Sequence, residues 1–170
     1  MLKAIDNYIF YFINKNCSNH FLDIAMSLLT QLGEWYVLLI VVLGLFFFRK
    51  KEERTTAVIL SAGLVVSFLA ALLLKMWVQR PRPAMLLPNI NLLAKASGYS
   101  FPSGHSVNIF MFAALLSACY GKKGFWFYLA ASAVGFSRIY LGVHFPSDVL
   151  AGALIGVILG KILQKLVKVA

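Results

Sequence analysis

Acidic side chains are scarce in this chain. Six of its 170 residues are Asp or Glu, against 16 Lys and Arg, and after Glu53 the only carboxylate is Asp148. Charged residues make up 13% of the sequence and hydrophobic ones 61%. That excludes an ordinary soluble domain, in which about a quarter of residues are charged. Cysteine is limited to Cys17 and Cys119. Neither has metal-ligand or disulfide-framework spacing, and Cys119, in an apolar run, reads as a small hydrophobe. Asp6, Asn7 and Asn14 interrupt the N-terminal apolar residues and no small-residue cleavage pattern follows, so no signal peptide is expected. There is no internal repeat and no low-complexity tract. The formal net charge is +10. In a soluble domain that balance suggests nucleic acid. In so apolar a chain it fits loops on the cytoplasmic side of a membrane and contact with anionic headgroups, and no nucleic-acid partner is expected.

What the chain does have is apolar runs that approach the roughly 20 residues needed to cross a bilayer, with a mean hydropathy of +0.81. We expect one domain over residues 1–170: an all-α, multi-pass transmembrane bundle of five to six helices. Residues 1–16 are too short and polar to span, and the segment to about residue 20 suits an amphipathic helix lying in the interface. A first span is expected from Phe21 or Leu22 to Phe48. Its clean stretch, 35–48, reaches only about 21 Å at 1.5 Å per residue, so upstream residues must contribute and a bend near Gly33 and Glu34 is plausible. A second span runs from about Thr55 to Val78 and is stopped by Arg80-Pro81-Arg82-Pro83. Residues 79–101 form a long connection, a length that is usually functional. Further helices are expected from Ser103 to Tyr120, over about 125–141, and from Pro146 to about Leu166. Pro146 suits a first helical turn. Gly152, Gly156 and Gly160 permit close helix packing, here read as packing within the protein.

Five spans place the N-terminus, the 79–101 connection and the 142–146 turn on one face. The other face carries Arg49, Lys50, Lys51, Arg54, Lys122, Lys123, Lys161, Lys165 and Lys168. The excess of Lys and Arg makes that second face cytoplasmic.

Three clusters then converge on the non-cytoplasmic face: Lys75-x6-Arg82-Pro83, Pro102-Ser103-Gly104-His105 and Ser137-Arg138-x5-His144-x3-Asp148. Lys75 alone would be a lysine snorkelling to the interface, and Arg82 alone a loop cation; together they set two positive charges at the mouth of the bundle, one with a fork suited to phosphate. Ser103 reads as a helix N-cap. The helix start behind it offers free N–H groups to an anion, and Gly104 would let an oxygen come close. His105 stands in the same first turn. Arg138 within an apolar run calls for an anionic partner. His144 and Asp148 are one helical turn apart, so the carboxylate is placed to orient the imidazole and leave Nε2 free; its alternative is a structural Asp at a helix start. His105, His144 and Asp148 also make a conceivable two-His, one-carboxylate metal site. Three cations crowd it and one carboxylate offsets little of a divalent charge, so no metal or other cofactor is expected. His20 has no partner motif. Glu34, Arg80 and Tyr140 are left open as further members of the site.

At these residues the chain resembles the type-2 phosphatidic acid phosphatases, the lipid phosphate phosphatase superfamily, whose site is shared with vanadium haloperoxidases. The family pattern K-x6-R-P, P-S-G-H, S-R-x5-H-x3-D occurs in order and without substitution from Lys75 to Asp148, nearly half the chain. Each fragment is weak alone; the ordered triple is specific. Many members have six spans, and residues 1–16 are too short for a sixth. The resemblance implies that His144 is the nucleophile and forms a phosphohistidine, with Asp148 orienting it. His105 would be the general acid and then the base. Lys75, Arg82, Ser103, Gly104 and Arg138 would bind the phosphate, without a metal. It implies a lipid phosphate or pyrophosphate as substrate at the outer face of a cell (inner) membrane, with undecaprenyl pyrophosphate favoured over lipid A 1-phosphate and phosphatidylglycerol phosphate. The bilayer is the other expected partner, and no obligate protein partner is evident. A non-enzymatic lipid-phosphate binder or transporter is the alternative of another class.

Overall fold

The computed structural model describes residues 2–48, 51–95 and 97–167. Arg49, Lys50 and Lys168, counted above for sidedness, lie outside the described residues. All regular structure among the described residues is helical: α1 Leu2–Tyr11, α2 His20–Leu29, α3 Trp35–Phe48, α4 Lys51–Val78, α5 Pro83–Leu86, α6 Gly104–Tyr120, α7 Gly124–Tyr140 and α8 Pro146–Val167. A π-helical turn, Phe12–Asn16, continues α1, and a 3-10 turn, Thr30–Gly33, continues α2.

Glu53–Leu86 and Pro146–Leu166 are each long and apolar enough to cross a membrane, and the bent pair His20–Gly33 and Trp35–Phe47 makes a third span if the two halves count as one. The pair meets at 55°, beside Gly33 and Glu34, where the sequence suggested a bend. Helices α6 and α7 have 17 residues each, about 26 Å at 1.5 Å per residue, a little less than a full bilayer core. They are the most enclosed part of the bundle, and α3 and α4 turn Ile40, Phe47, Phe68 and Leu73 outward instead. In a lipid environment such a surface is satisfied rather than exposed.

Two apolar cores hold the helices together. One lies in the shaft, where Leu38 and Val42 of α3, Leu60 of α4, and Met111 and Leu115 of α6 interlock. The other lies at one end, where Phe10 and Ile13 of the N-terminal segment pack on Ile139, Tyr140, Phe145 and Val149. The glycine stripe of α8 faces α6. A Cβ at Gly152 would stand 2.7 Å from the Ser103 carbonyl oxygen and one at Gly160 2.6 Å from the Ala114 Cβ. The stripe therefore packs within the chain, and it is what lets α8 reach the start of α6.

Helix α1 has 10 residues. One side of it is exposed and apolar, with Leu2, Ile5 and Tyr8, while Asp6 and Phe10 are buried against the bundle. Asn14 is wholly buried: it donates to the carbonyls of Asn91 and Tyr140, both at 2.8 Å, and accepts from the Asn91 N–H at 2.8 Å. Asp6 and Asn14, two of the polar residues that break the apolar pattern of residues 1–16, are thus its anchors.

Candidate active site

The last turn of α4, the start of α6, the end of α7 and the start of α8 meet at one end of the bundle. The local reasons are simple. Ser103 caps α6, its Oγ accepting from the Ser106 N–H at 3.4 Å. Its own N–H donates to the Asp148 carbonyl at 3.1 Å, which ties the second cluster to the third. Gly142 ends the turn after α7 with φ +80°, and a Cβ there would lie 2.5 Å from the Asn91 carbonyl oxygen. Only glycine fits that turn without strain. The Arg138 carbonyl then accepts from the N–H groups of Val143 and His144, at 3.2 and 3.3 Å, fixing His144 relative to α7.

His144 and Asp148 are buried. The imidazole Nε2 lies 3.3 Å from Arg82 Nη1. Its Nδ1 lies 3.4 Å from Ser100 Oγ and 3.6 Å from Asp148 Oδ2, and Ser100 in turn donates to Asp148 Oδ2 at 2.5 Å. A donor beside Nε2 and acceptors beside Nδ1 favour the tautomer with its proton on Nδ1, leaving the Nε2 lone pair toward the cations. Burial holds His144 well below the usual histidine value, to about 4; Asp148 pushes the other way, and the charges of Arg82 and Arg138 add to the lowering. The ring is therefore neutral at ordinary pH, the state in which an imidazole can attack an electrophile.

The expected phosphate ligands surround this ring. Arg82 also donates to the carbonyls of Ser97, Gly98 and Val143, at 2.8, 3.0 and 2.8 Å, and Lys75 Nζ to that of Tyr99 at 2.7 Å. These two cations thereby pin residues 97–100 over the site. Arg138 is buried, with Nη1 donating to Thr30 Oγ1 at 2.7 Å and Nε without a hydrogen bond. A Cβ at Gly104 would meet nothing within 4 Å, so the helix start opens into free space. The His105 Nε2 lies 3.2 Å from Glu34 Oε1 but not along a hydrogen-bonding direction, and it too is a buried polar atom with no hydrogen bond. An anion seated here would satisfy both orphaned nitrogens.

Of the residues left open by the sequence, Glu34 and Arg80 join the site and Tyr140 does not. Glu34 reaches His105 from the bend between α2 and α3. Arg80 donates to Asp148 Oδ1 at 2.6 Å. The Tyr140 hydroxyl instead donates to Asp23 Oδ1 at 2.6 Å. Ser100 and Asp6 escaped sequence reasoning altogether; neither carries a local signal, because each meets the site only through the fold. The alternative metal triad is not assembled: the Asp148 carboxylate is taken by Arg80, Ser100 and the Phe145 N–H, and among the described residues no group of three or more His, Cys, Asp or Glu is placed to hold a metal.

An apolar groove of about 710 Å³ leads away from this end between α3, α4 and α6. Leu39, Leu64, Phe68 and Leu72 form walls, and Glu34, Lys75 and His105 stand at its polar end. The site thus joins a cationic, histidine-bearing pocket to an apolar groove on a helical membrane bundle.

Comparison with known proteins gives this membrane bundle its family. The chain belongs to the PAP2 superfamily, whose family model matches residues 54–169. The crystal structure of Aquifex aeolicus LpxE superposes with a TM-score of 0.84 at 37% identity, covering 95% of each chain. The bacitracin transport permease protein BcrC of Bacillus licheniformis is 44% identical over 78 residues, 45% of this chain and 38% of that protein. An undecaprenyl-diphosphatase of Sulfolobus acidocaldarius is 37% identical over 100 residues, 55% of this chain and 48% of that protein. The matched part thus spans less than half the length of either curated relative.

Proposed function

We propose that the protein hydrolyses a phosphate monoester or pyrophosphate of a membrane lipid through a phosphohistidine. The observation that carries this reading is the pair of buried, unbonded nitrogens, His105 Nε2 and Arg138 Nε: His105 stands at the polar end of the apolar groove, and Arg138 lines a smaller polar pocket that shares Glu34 with the groove. A lipid phosphate fits both halves: the chain lies along the groove and the phosphate meets Lys75, Arg82, Arg138, Ser103 and the Gly104 N–H.

In the first step His144 Nε2 attacks phosphorus. The bond from phosphorus to the lipid oxygen breaks, and His105 gives that oxygen a proton. The imidazole becomes cationic as the P–N bond forms, and Asp148, with Ser100, stabilises it across Nδ1. In the second step His105 takes a proton from water, the hydroxide attacks phosphorus, the P–N bond breaks and inorganic phosphate leaves. The cations bind the equatorial oxygens more tightly as charge builds on them. No step calls on a metal.

We rank undecaprenyl pyrophosphate first among substrates, in keeping with the diphosphatase relative, ahead of lipid A 1-phosphate and phosphatidylglycerol phosphate. The distribution of Lys and Arg supports a cell (inner) membrane location with the site on the non-cytoplasmic face. A cysteine replacing the exposed Met85, in a background lacking Cys17 and Cys119, then reacts with an impermeant thiol reagent in intact cells; labelling only after permeabilisation inverts the topology.

The deciding experiment is phosphate release by the purified protein in detergent with EDTA, on all three lipids. Turnover that survives EDTA and disappears in His144→Ala supports the reading, and the rates rank the substrates. The transport permease relative supplies a second reading, that of a binder or carrier. It predicts that His144→Ala keeps its lipid affinity and that the parent protein releases no phosphate.

A further inference from the structure

Asp148 is not held by the residues of the three clusters alone. Its Oδ2 accepts from Ser100 Oγ and the Phe145 N–H, at 2.5 and 2.9 Å, and its Oδ1 accepts from Arg80 Nη1 at 2.6 Å. The same Nη1 donates to Ser147 Oγ at 2.7 Å, while Nη2 donates to Asp6 Oδ2 at 2.6 Å. Asp6 comes from α1, 142 positions away in sequence by subtraction of the two residue numbers. It also accepts from the Ser147 N–H at 2.9 Å and the Ser147 hydroxyl at 2.6 Å. The guanidinium sits 4.2 Å from the centre of the Phe145 ring. Its fork is therefore fixed in direction as well as in charge. The two carboxylates it joins are 8% and 0% exposed, so water screens little of their interaction.

The charge count is informative. Arg80 and Asp148 by themselves would be neutral, and a carboxylate neutralised at one oxygen is a poor support for an imidazolium forming near the other. Asp6 supplies a second negative charge to the same guanidinium. The trio keeps one net negative charge, and that charge faces His144, where positive charge grows as the P–N bond forms.

We infer that Asp6 and Arg80 are positioning residues: Arg80 aims the Asp148 carboxylate at His144, and Asp6 offsets the charge of Arg80 so that Asp148 remains an effective anion. Helix α1 is then part of the catalytic apparatus through one side chain. This inference rests on the proposed phosphohistidine chemistry.

The test compares Asp6→Asn, Arg80→Gln and the double variant with the parent. Phosphate release is measured in detergent on whichever of the three lipids the parent turns over, with kcat and KM separated and thermal unfolding followed in parallel. The expected result is a loss in kcat of about 10-fold for Asp6→Asn and about 100-fold for Arg80→Gln, with KM changed less than about 3-fold. In the double variant Asp6 has no guanidinium left to offset, so kcat matches that of Arg80→Gln and the two losses do not multiply. Arg80→Lys, which keeps the charge but loses the fork, falls between Arg80→Gln and the parent. A tie that merely fastened α1 to α8 gives a different pattern. Unfolding temperatures fall, lowest in the double variant, and kcat per folded molecule stays at the parent value in all three. That pattern overturns the inference while leaving the hydrolase reading intact. A parent protein that is folded but releases no phosphate overturns both.

Discussion

The core in the shaft and the core beneath the N-terminal segment use the same kinds of apolar side chain, yet they differ in what surrounds them. Around the shaft core, Leu60, Met111 and Leu115 meet other hydrocarbon, and the helices beyond them turn further hydrocarbon outward. Around the end core, Phe10, Tyr140 and Phe145 are walled by Asn14, Arg80, Arg138, His144 and Asp148. In the shaft any residue of suitable size and apolarity keeps the packing. At the end, each polar atom needs a particular partner, because leaving one unpaired out of water costs a few kcal/mol. The molecule thus places its tolerance along the membrane and its exactness at one rim.

That contrast can be broken in order of expected effect. Asp148→Asn keeps the shape of the end core but removes the charge facing His144; kcat should fall on the order of 10³-fold, with the protein still folded by its unfolding temperature. A loss below 10-fold would show that Ser100 alone can support the imidazole. Arg82→Lys keeps a cation but gives up the fork that holds Ser97, Gly98 and Val143 and that the proposed reaction uses on the phosphate. About 10- to 100-fold in kcat/KM is expected to go, and a change below 2-fold would mean that only charge matters there.

The pH profile is a gentler probe. The His144 value is lowered in the folded protein to about 4 by burial. Its neutral, attacking form is therefore present above that pH and is lost as pH falls through it. The acid limb of kcat/KM assigned to His144 should lie near pH 4 rather than the roughly 6.5 of a free imidazole. A limb near 6.5 that moves with substitutions at His144's neighbours would show that water reaches the ring. Leu115→Ala in the shaft is the smallest perturbation of chemistry. It leaves a cavity and should lower stability by about 2–4 kcal/mol, measured by unfolding in detergent, with kcat of the folded protein within 2-fold of the parent. A large fall in kcat would mean that the shaft transmits its packing to the rim.

Helices α4, α6, α7 and α8 begin and end close to where the sequence places them, because proline, Ser103 and the glycine-lysine turn act within a few residues. The bend beside Gly33 was foreseeable for the same kind of reason: the apolar run 35–48 is too short to span unaided. The eight candidate site residues in the three clusters were picked out by motif spacing along the helices, and the fold brings them to one end of the bundle. Three of them, His105, Arg138 and His144, owe their orphaned or neutral state to burial, which spacing does not reveal.

The sequence by itself determined that this is a helical membrane protein with three fragments at the ends of its helices that carry cations, two histidines and a carboxylate. Hydropathy, helix periodicity and stop signals are local or compositional, and they need no knowledge of what lies across the bundle. The tertiary structure alone decided that Asp6 of α1 faces Arg80, that Arg80 rather than His144 makes the tight ion pair with Asp148, that Ser100 lies between Asp148 and His144, and that Glu34 comes up beside His105. Each of these is a contact between elements separated along the chain. Its existence depends on the angles at which the helices cross and on the glycine stripe that lets α8 close on α6, and no window of sequence contains both partners.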